Sequence, residues 1–212
     1  MYFARYNNAT TLPLTKLCYY IAASFPLQLL GFDIHAINSV QFSNHTGYPV
    51  VKGNVLGGDD LSALMEGLVV NDIACFDYVL TGYIGSESFL TEVLKVLDVT
   101  KSINSSVKYI CDPVLGDGGK LYVPMSLIDI YKEKIIPRAY MITPNQLEAE
   151  YLSGSKITNE KSVVDCLVSL YSMGPSVVVL TSAEVAEYEG KIVMLRVLPL
   201  FSLHCTDTME YI

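Results

Sequence analysis

The sequence predicts an α/β fold in which helices cover both faces of a mostly parallel central sheet. Three observations carry that expectation. Through the middle of the chain, short β-branched runs alternate with amphipathic helical stretches at intervals of roughly 30–40 residues, the length of a βαβ unit. The run Val177-Val178-Val179-Leu180 has no polar alternation, as expected of a strand with no wet face. Hydrophobic residues make up 51% of the 212 and charged residues 17%, with mean hydropathy +0.36, which excludes a disordered chain. Such units cross over right-handedly and build parallel sheets. No exact repeat and no internal linker interrupts the pattern, so 1–212 reads as a single domain.

The elements follow in order. Residues 22–30 read as a helix closed by Gly31, with Pro26 either kinking it or marking its first turn. Residues 34–40 read as a strand. Asp60 can cap a helix whose apolar face is Leu61, Leu64, Met65 and Leu68. A strand over 76–81 precedes a helix with Phe89, Leu90, Val93, Leu94 and Leu97 on one face, and 107–112 is the next strand. Pro124 suits the first turn of a helix carrying Leu127, Ile128 and Tyr131. A short strand over 140–143 leads to a helix over 145–153, ended by Gly154. Asn159 can cap a helix through Val163, Leu167 and Leu170, and strands over 176–181 and 191–198 complete the pattern. The two ends, 1–20 and 199–212, read as irregular.

Composition excludes several functions. Net charge is -8, from 14 Lys and Arg against 22 Asp and Glu, and no basic patch suits a nucleic acid. No run of eighteen apolar residues exists, so no membrane-spanning helix is expected. Residues 17–32 are apolar enough to raise a leader peptide, but Ser24, Pro26 and Gln28 interrupt them and no small-residue cleavage site follows. The five cysteines (Cys18, Cys75, Cys111, Cys166, Cys205) form no CxxC pair and read as reduced, mostly core thiols of a cytoplasmic protein. His35, His45 and His204 show no zinc-ligand spacing with them.

Open parallel sheets bind ligands beyond the carboxyl ends of their strands, so the residues just after each strand are the candidates. These are the stretch from Gln41 to Tyr48, then Thr81-Gly82-Tyr83, then Asp112 to Gly118, then Thr143 to Glu148, and finally Thr181-Ser182. Asp112, Asp117 and Glu148 are hard oxygen ligands of the kind that hold Mg²⁺ together with a polyphosphate. Asn145 and Glu148 share one face at a helix start, where partial positive charge favours an anion. The same residues have plainer readings. Asp112-Pro113 can simply end a strand, and Asn145 with Glu148 can be only a capping box. A lone Tyr83 can be packing, and His45 a satisfied loop histidine.

Several segments, in order, resemble the pyridoxal kinases of the ribokinase-like superfamily. They are FPLQLLGFDIHAINSVQFSNHTGYP (25–49), DYVLTGY (77–83), CDPVLGD (111–117), YVP (122–124), ITPNQLEAEYLSG (142–154) and VVVLTS (177–182), and the matching region spans about 22–197. The resemblance implies a ribokinase-like three-layer αβα fold and transfer of the ATP γ-phosphate to the hydroxymethyl group of pyridoxal, pyridoxine or pyridoxamine. It implies that Thr46 contacts the pyridine substituents with His45 beside it, and that Tyr83 packs on the ring. Asp112, Thr143 and Thr181 would hold a monovalent cation (K⁺ or Na⁺) near ATP, and Asp117 would be a Mg²⁺ partner with Glu148. Asn145, Gln146, Leu147 and Glu148, with Thr181 and Ser182, would line the nucleotide site. A homodimer is implied for the intact family. The NHTGY loop argues against a kinase of the same fold acting on hydroxymethylpyrimidine.

Two family elements find no match. Nothing in 1–20 resembles the opening strand and its serine-containing pyridine-binding segment. The glycine-rich GTGD element, with the general-base aspartate, has no counterpart, and Thr206-Asp207 lacks its glycines. The sheet is therefore expected to be incomplete at the C-terminus, and activity of these 212 residues alone to be slight or absent, since a positioned base is worth roughly 10²–10⁴ in rate. The alternative is a non-catalytic fragment that binds ligand or pairs with an intact kinase.

Overall fold

The computed structural model describes residues 1–6, 21–44, 48–185, 195–197 and 204–205. The chain divides into two compact units, 1–108 and 109–212.

In the first unit, β1 (Tyr2–Tyr6) lies between β2 (Phe32–Ala36) and β5 (Tyr78–Thr81) and pairs antiparallel with both. The irregular reading of the first residues is thus corrected at 2–6, where the sequence is YFARY. Phe3 and Ala4 are buried, and the Phe3 ring meets Phe76 at a centroid distance of 4.6 Å. Helix α1 (Ile21–Leu29) precedes β2 and carries Pro26 inside it. The strand expected over 34–40 is two elements. β2 stops at Ala36, and β3 (Val40–Phe42) belongs to a separate ribbon with β4 (Gly53–Val55). The break has a cause: Ser39 Oγ donates to the Tyr83 carbonyl at 2.7 Å, and the Ser39 carbonyl accepts from Leu56 N–H at 2.9 Å.

Helices α2 (Gly58–Val70) and α3 (Glu87–Ile103) complete this unit. Asp60 caps α2 from the third helical position rather than from the N-cap, which is Gly57; its carboxylate accepts from Gly57 N–H at 2.8 Å. Of the expected apolar face, Leu61 and Met65 are buried, but Leu64 is 47% exposed. The start of α2 lies so close to α3 that a Cβ on Gly58 would meet the Ser88 carbonyl oxygen at 2.7 Å. Gly58→Ala should therefore destabilise the chain by about 1–2 kcal/mol, overpacking less the better helix propensity of alanine. Chemical denaturation checks this, and an unchanged or raised midpoint would show that the two helices part freely.

The second unit opens within β6 (Lys108–Cys111), at its second residue, and continues with the hairpin β7 (Gly116–Asp117) and β8 (Lys120–Leu121). Gly118 and Gly119 turn that hairpin with φ of 54° and 79°, a conformation side chains resist. Helix α4 (Met125–Ile130) runs into a π turn at Tyr131–Ile135 and a 3₁₀ turn at Ile136–Arg138 before β9 (Met141–Ile142). Next come α5 (Gln146–Ser153), α6 (Glu160–Ser172) and β10 (Val177–Leu180). Strands β6, β9 and β10 pair in parallel, as the mostly parallel sheet expected from the sequence requires. Beyond them β11 (Leu195–Val197) pairs antiparallel with β10, and β12 (His204–Cys205) with β11. The expected strand over 191–198 is thus present at its described residues, and 204–205 form a strand where the reading was irregular. Leu127, Tyr131, Ile135, Ile142, Leu152, Leu167 and Leu180 are buried in this unit. Cys75, exposed, and Cys111 and Cys166, buried, are free thiols. Among the described residues no helix is long and apolar enough to cross a membrane.

Candidate functional site

The carboxyl ends of the three parallel strands supply the site. After β6 the chain leaves the sheet at Asp112, and after β9 at Thr143. Thr143 Oγ1 donates to Asp112 Oδ1 at 3.2 Å, and Thr143 N–H donates to the Cys111 carbonyl at 3.1 Å. After β10, Thr181 donates its N–H to the Pro144 carbonyl at 2.9 Å and its hydroxyl to the same oxygen at 3.3 Å.

The start of α5 locks these loops together. Asn145 is the N-cap: its Oδ1 accepts from Glu148 N–H at 2.9 Å, and Glu148 Oε2 accepts from Asn145 N–H at 2.8 Å, a reciprocal capping box. Each residue also reaches across to the loop after β6. Glu148 Oε1 accepts from Leu115 N–H at 3.0 Å, and Asn145 Nδ2 donates to the Gly116 carbonyl at 2.8 Å. The capping-box reading is therefore correct, and the cap doubles as a clamp.

Glu148 is 2% exposed. Burial pushes its carboxyl up from 4.5 to about 7, against the backbone N–H groups of Asn145 and Leu115 and helped by the nearby charge of Asp112. Burial also raises Asp112, with the Thr143 hydroxyl pulling the other way. A cavity of about 330 Å³ is lined by Asp112, Asp117, Thr143, Asn145, Glu148 and Thr181, among others. Among the described residues no Lys, Arg or His lines it, so its carboxylates face one another without a cationic side chain from these residues. That chemistry fits a hard cation held by carboxylate, hydroxyl and water oxygens. Among the described residues no three His, Cys, Asp or Glu side chains form a ready-made metal cluster. Glu148, with both oxygens on backbone N–H groups, suits a contact through water.

A second groove, of about 530 Å³, shares Asp117 with the first. Gln146, Leu147 and Ser182, three of the residues expected at a nucleotide site, line it together with Gly118, Gly119, Glu150, Lys156, Ala183 and Glu184. Glu150 bonds Lys156 Nζ and the Ile157 N–H. Burial would raise Glu150, but the bonds from Lys156, Ile157 and Gln146 outweigh it and hold the carboxyl below its ordinary value. Sequence reading missed the Glu150–Lys156 pair, because its spacing is not helical and closes only after Gly154 ends α5.

Asp112, Asp117, Thr143, Asn145, Gln146, Leu147, Glu148, Thr181 and Ser182 thus all fall at these two cavities of the second unit. Tyr83 lies in the first unit, half-buried, with its hydroxyl over Gly85. His45 and Thr46 lie outside the described residues.

The fold is ribokinase-like, the fold of the solved pyridoxal kinases it resembles. The pyridoxal kinase of Leishmania donovani, solved in complex with ADP and pyridoxamine, matches with a TM-score of 0.79 at 35% identity, covering 82% of this chain and 63% of that one. The chain belongs to the phosphomethylpyrimidine kinase family, whose family model matches residues 35–197. Among curated relatives, pyridoxal kinase of Arabidopsis thaliana is 55% identical over 161 residues, covering 76% of this chain and 52% of that protein. Pyridoxal kinase of Homo sapiens is 51% identical over 173 residues, covering 80% and 55%. The chain spans about half the length of these curated relatives.

Proposed function

We propose that the chain carries the nucleotide and cation half of a pyridoxal kinase, an enzyme that moves the γ-phosphoryl group of ATP to the hydroxymethyl group of pyridoxal, pyridoxine or pyridoxamine. The observation that supports it best is the meeting of Asp112, Thr143, Asn145, Glu148 and Thr181 in one cavity, with no cationic side chain among the described residues, beside a groove walled by Gln146, Leu147 and Ser182. In phosphoryl transfer the protein has little covalent chemistry to do, and positioning and charge neutralisation dominate. Asp112, Asp117 and, through water, Glu148 would hold Mg²⁺. Asp112, Thr143 and Thr181 would hold a monovalent cation. When bound, these cations spread the negative charge of the phosphates. Asn145 and Glu148 keep the Asp112–Asp117 loop in place for them. Thr46, His45 and Tyr83 would meet the vitamer, and a second copy of the chain is the expected partner.

None of the 212 residues forms a Gly-x-Gly-Asp segment, the family's source of the general base and of backbone donors to the transferring group. Nucleotide binding is thus expected of this chain without brisk turnover. The test is twofold on purified 1–212. Calorimetric titration with ADP and Mg²⁺ should show binding that weakens when the metal is chelated. Pyridoxal-dependent ADP release should be slight. Brisk release would refute the impaired-turnover half, and the lack of any nucleotide binding would refute the site itself.

A further inference from the structure

Gln146 faces the nucleotide groove, yet its amide is already committed at both ends. Its Oε1 accepts from Glu184 N–H at 2.8 Å. Its Nε2 donates to Glu150 Oε1 and to the Ile157 carbonyl, each at 3.3 Å. The partners fix which end is which: two acceptors stand on one side and a backbone donor on the other. Glu150 is itself held by Lys156 and by Ile157 N–H, so the acceptor side is rigid. On the donor side lies the loop after β10. That loop is tied to the start of α5 at two points, Thr181 to Pro144 and Glu184 to Gln146. Ser182 and Ala183 sit in the arc between the ties and line the groove.

We propose that Gln146 is a positioning residue for nucleotide binding, one that acts by pinning the far end of the Thr181–Glu184 arc so that Ser182 faces the groove at a set depth. The inference rests on the nucleotide reading of that groove. Gln146 was expected as a ligand contact; the geometry gives it a partner for each end of its amide before any ligand arrives. Losing one such bond releases the arc, and the nucleotide must then order it on binding.

Gln146→Ala and Gln146→Glu in the 212-residue chain test this, with hydrogen exchange at the Glu184 amide and Mg²⁺-ADP affinity as readouts. Gln146→Ala should speed Glu184 exchange about 3–10-fold without nucleotide, and weaken ADP binding by a similar factor. Gln146→Glu carries a pH signature. The new carboxyl faces Glu150, with Lys156, Glu184 and Asp117 around it. Ionised at pH 8 it repels Glu150 and the Ile157 carbonyl, and affinity should fall as in the alanine variant. At pH 4, below the ordinary glutamate value of about 4.3 and with the Glu150 carboxylate facing it, the carboxyl is protonated, its O–H replaces the lost N–H donor, and affinity should return to within about twofold of the unaltered chain at the same pH. If Gln146→Ala does not fold, this pH comparison carries the test alone. Weakened binding with unchanged Glu184 exchange would make Gln146 a direct ligand contact and overturn the proposal, as would no change in either. If the unaltered chain binds no nucleotide, the groove reading fails and takes the affinity half of the proposal with it; the exchange result still decides whether Gln146 pins the arc.

Discussion

Asn145→Ala should lower the stability of the chain by about 2–3 kcal/mol, of which the lost N-cap accounts for about 1 and the lost tie to the loop after β6 for most of the rest. The side chain has two jobs at once. Its Oδ1 takes the Glu148 N–H that the first turn of α5 leaves without a helical partner. Its Nδ2 satisfies the Gly116 carbonyl at the base of the glycine hairpin. Asn145→Asp separates the two: the carboxylate still caps the helix, but it offers no donor to Gly116 and adds negative charge beside Asp112 and Glu148. The aspartate variant should therefore recover the cap contribution and keep the loop defect, with faster amide exchange confined to the hairpin. Urea denaturation of the three proteins checks the ranking through the midpoint at constant slope. An aspartate variant as stable as the asparagine protein would mean that the Gly116 bond contributes nothing.

Asn145 also shows which parts of the structure were legible in the sequence. The capping box of α5 spans four residues, so its chemistry is local and can be read off directly, as can Gly154 at the other end. The unbroken apolar run of β10 likewise announces a doubly buried strand. The errors arise where distant contacts override local pattern. YFARY is a short strand whose partners lie at 32–36 and 78–80, and no neighbouring turn residue points to them. The strand over 34–40 breaks because Ser39 is drawn off by Tyr83 and Leu56. Asp60 is the third residue of α2 because the helix starts at Gly58, where only a glycine fits against the Ser88 carbonyl. The site followed the same rule. Residues at strand ends could be placed in advance, whereas the second wall of the groove, Glu150 with Lys156, depends on a chain reversal that no periodicity encodes.

The second large effect is a dependence of stability on pH. Glu148 titrates at about 7 in the folded chain, raised from 4.5 chiefly by burial. The folded state therefore keeps a proton that the unfolded chain has already released. By linkage, this contribution to stability is fully present below about pH 4.5, falls as pH rises to about 7 and is flat above that. The size follows from the shift and amounts to about 3 kcal/mol. Asp112, also raised, acts in the same direction. Glu148→Gln removes the titration while keeping the volume, so the stability of the unaltered chain relative to this variant should drop by about 3 kcal/mol between pH 4.5 and 8 when metal is chelated. Mg²⁺ should reverse the trend. A cation beside Asp112 and Glu148 favours their ionised forms, so the metal should stabilise the chain more at pH 8 than at pH 5, and more than it stabilises the glutamine variant. Urea titrations at the two pH values, with chelator and with Mg²⁺, measure both terms. A stability difference from Glu148→Gln that stays constant across pH would mean that the carboxyl keeps an ordinary affinity for its proton. The cavity would then carry no stored preference for a cation.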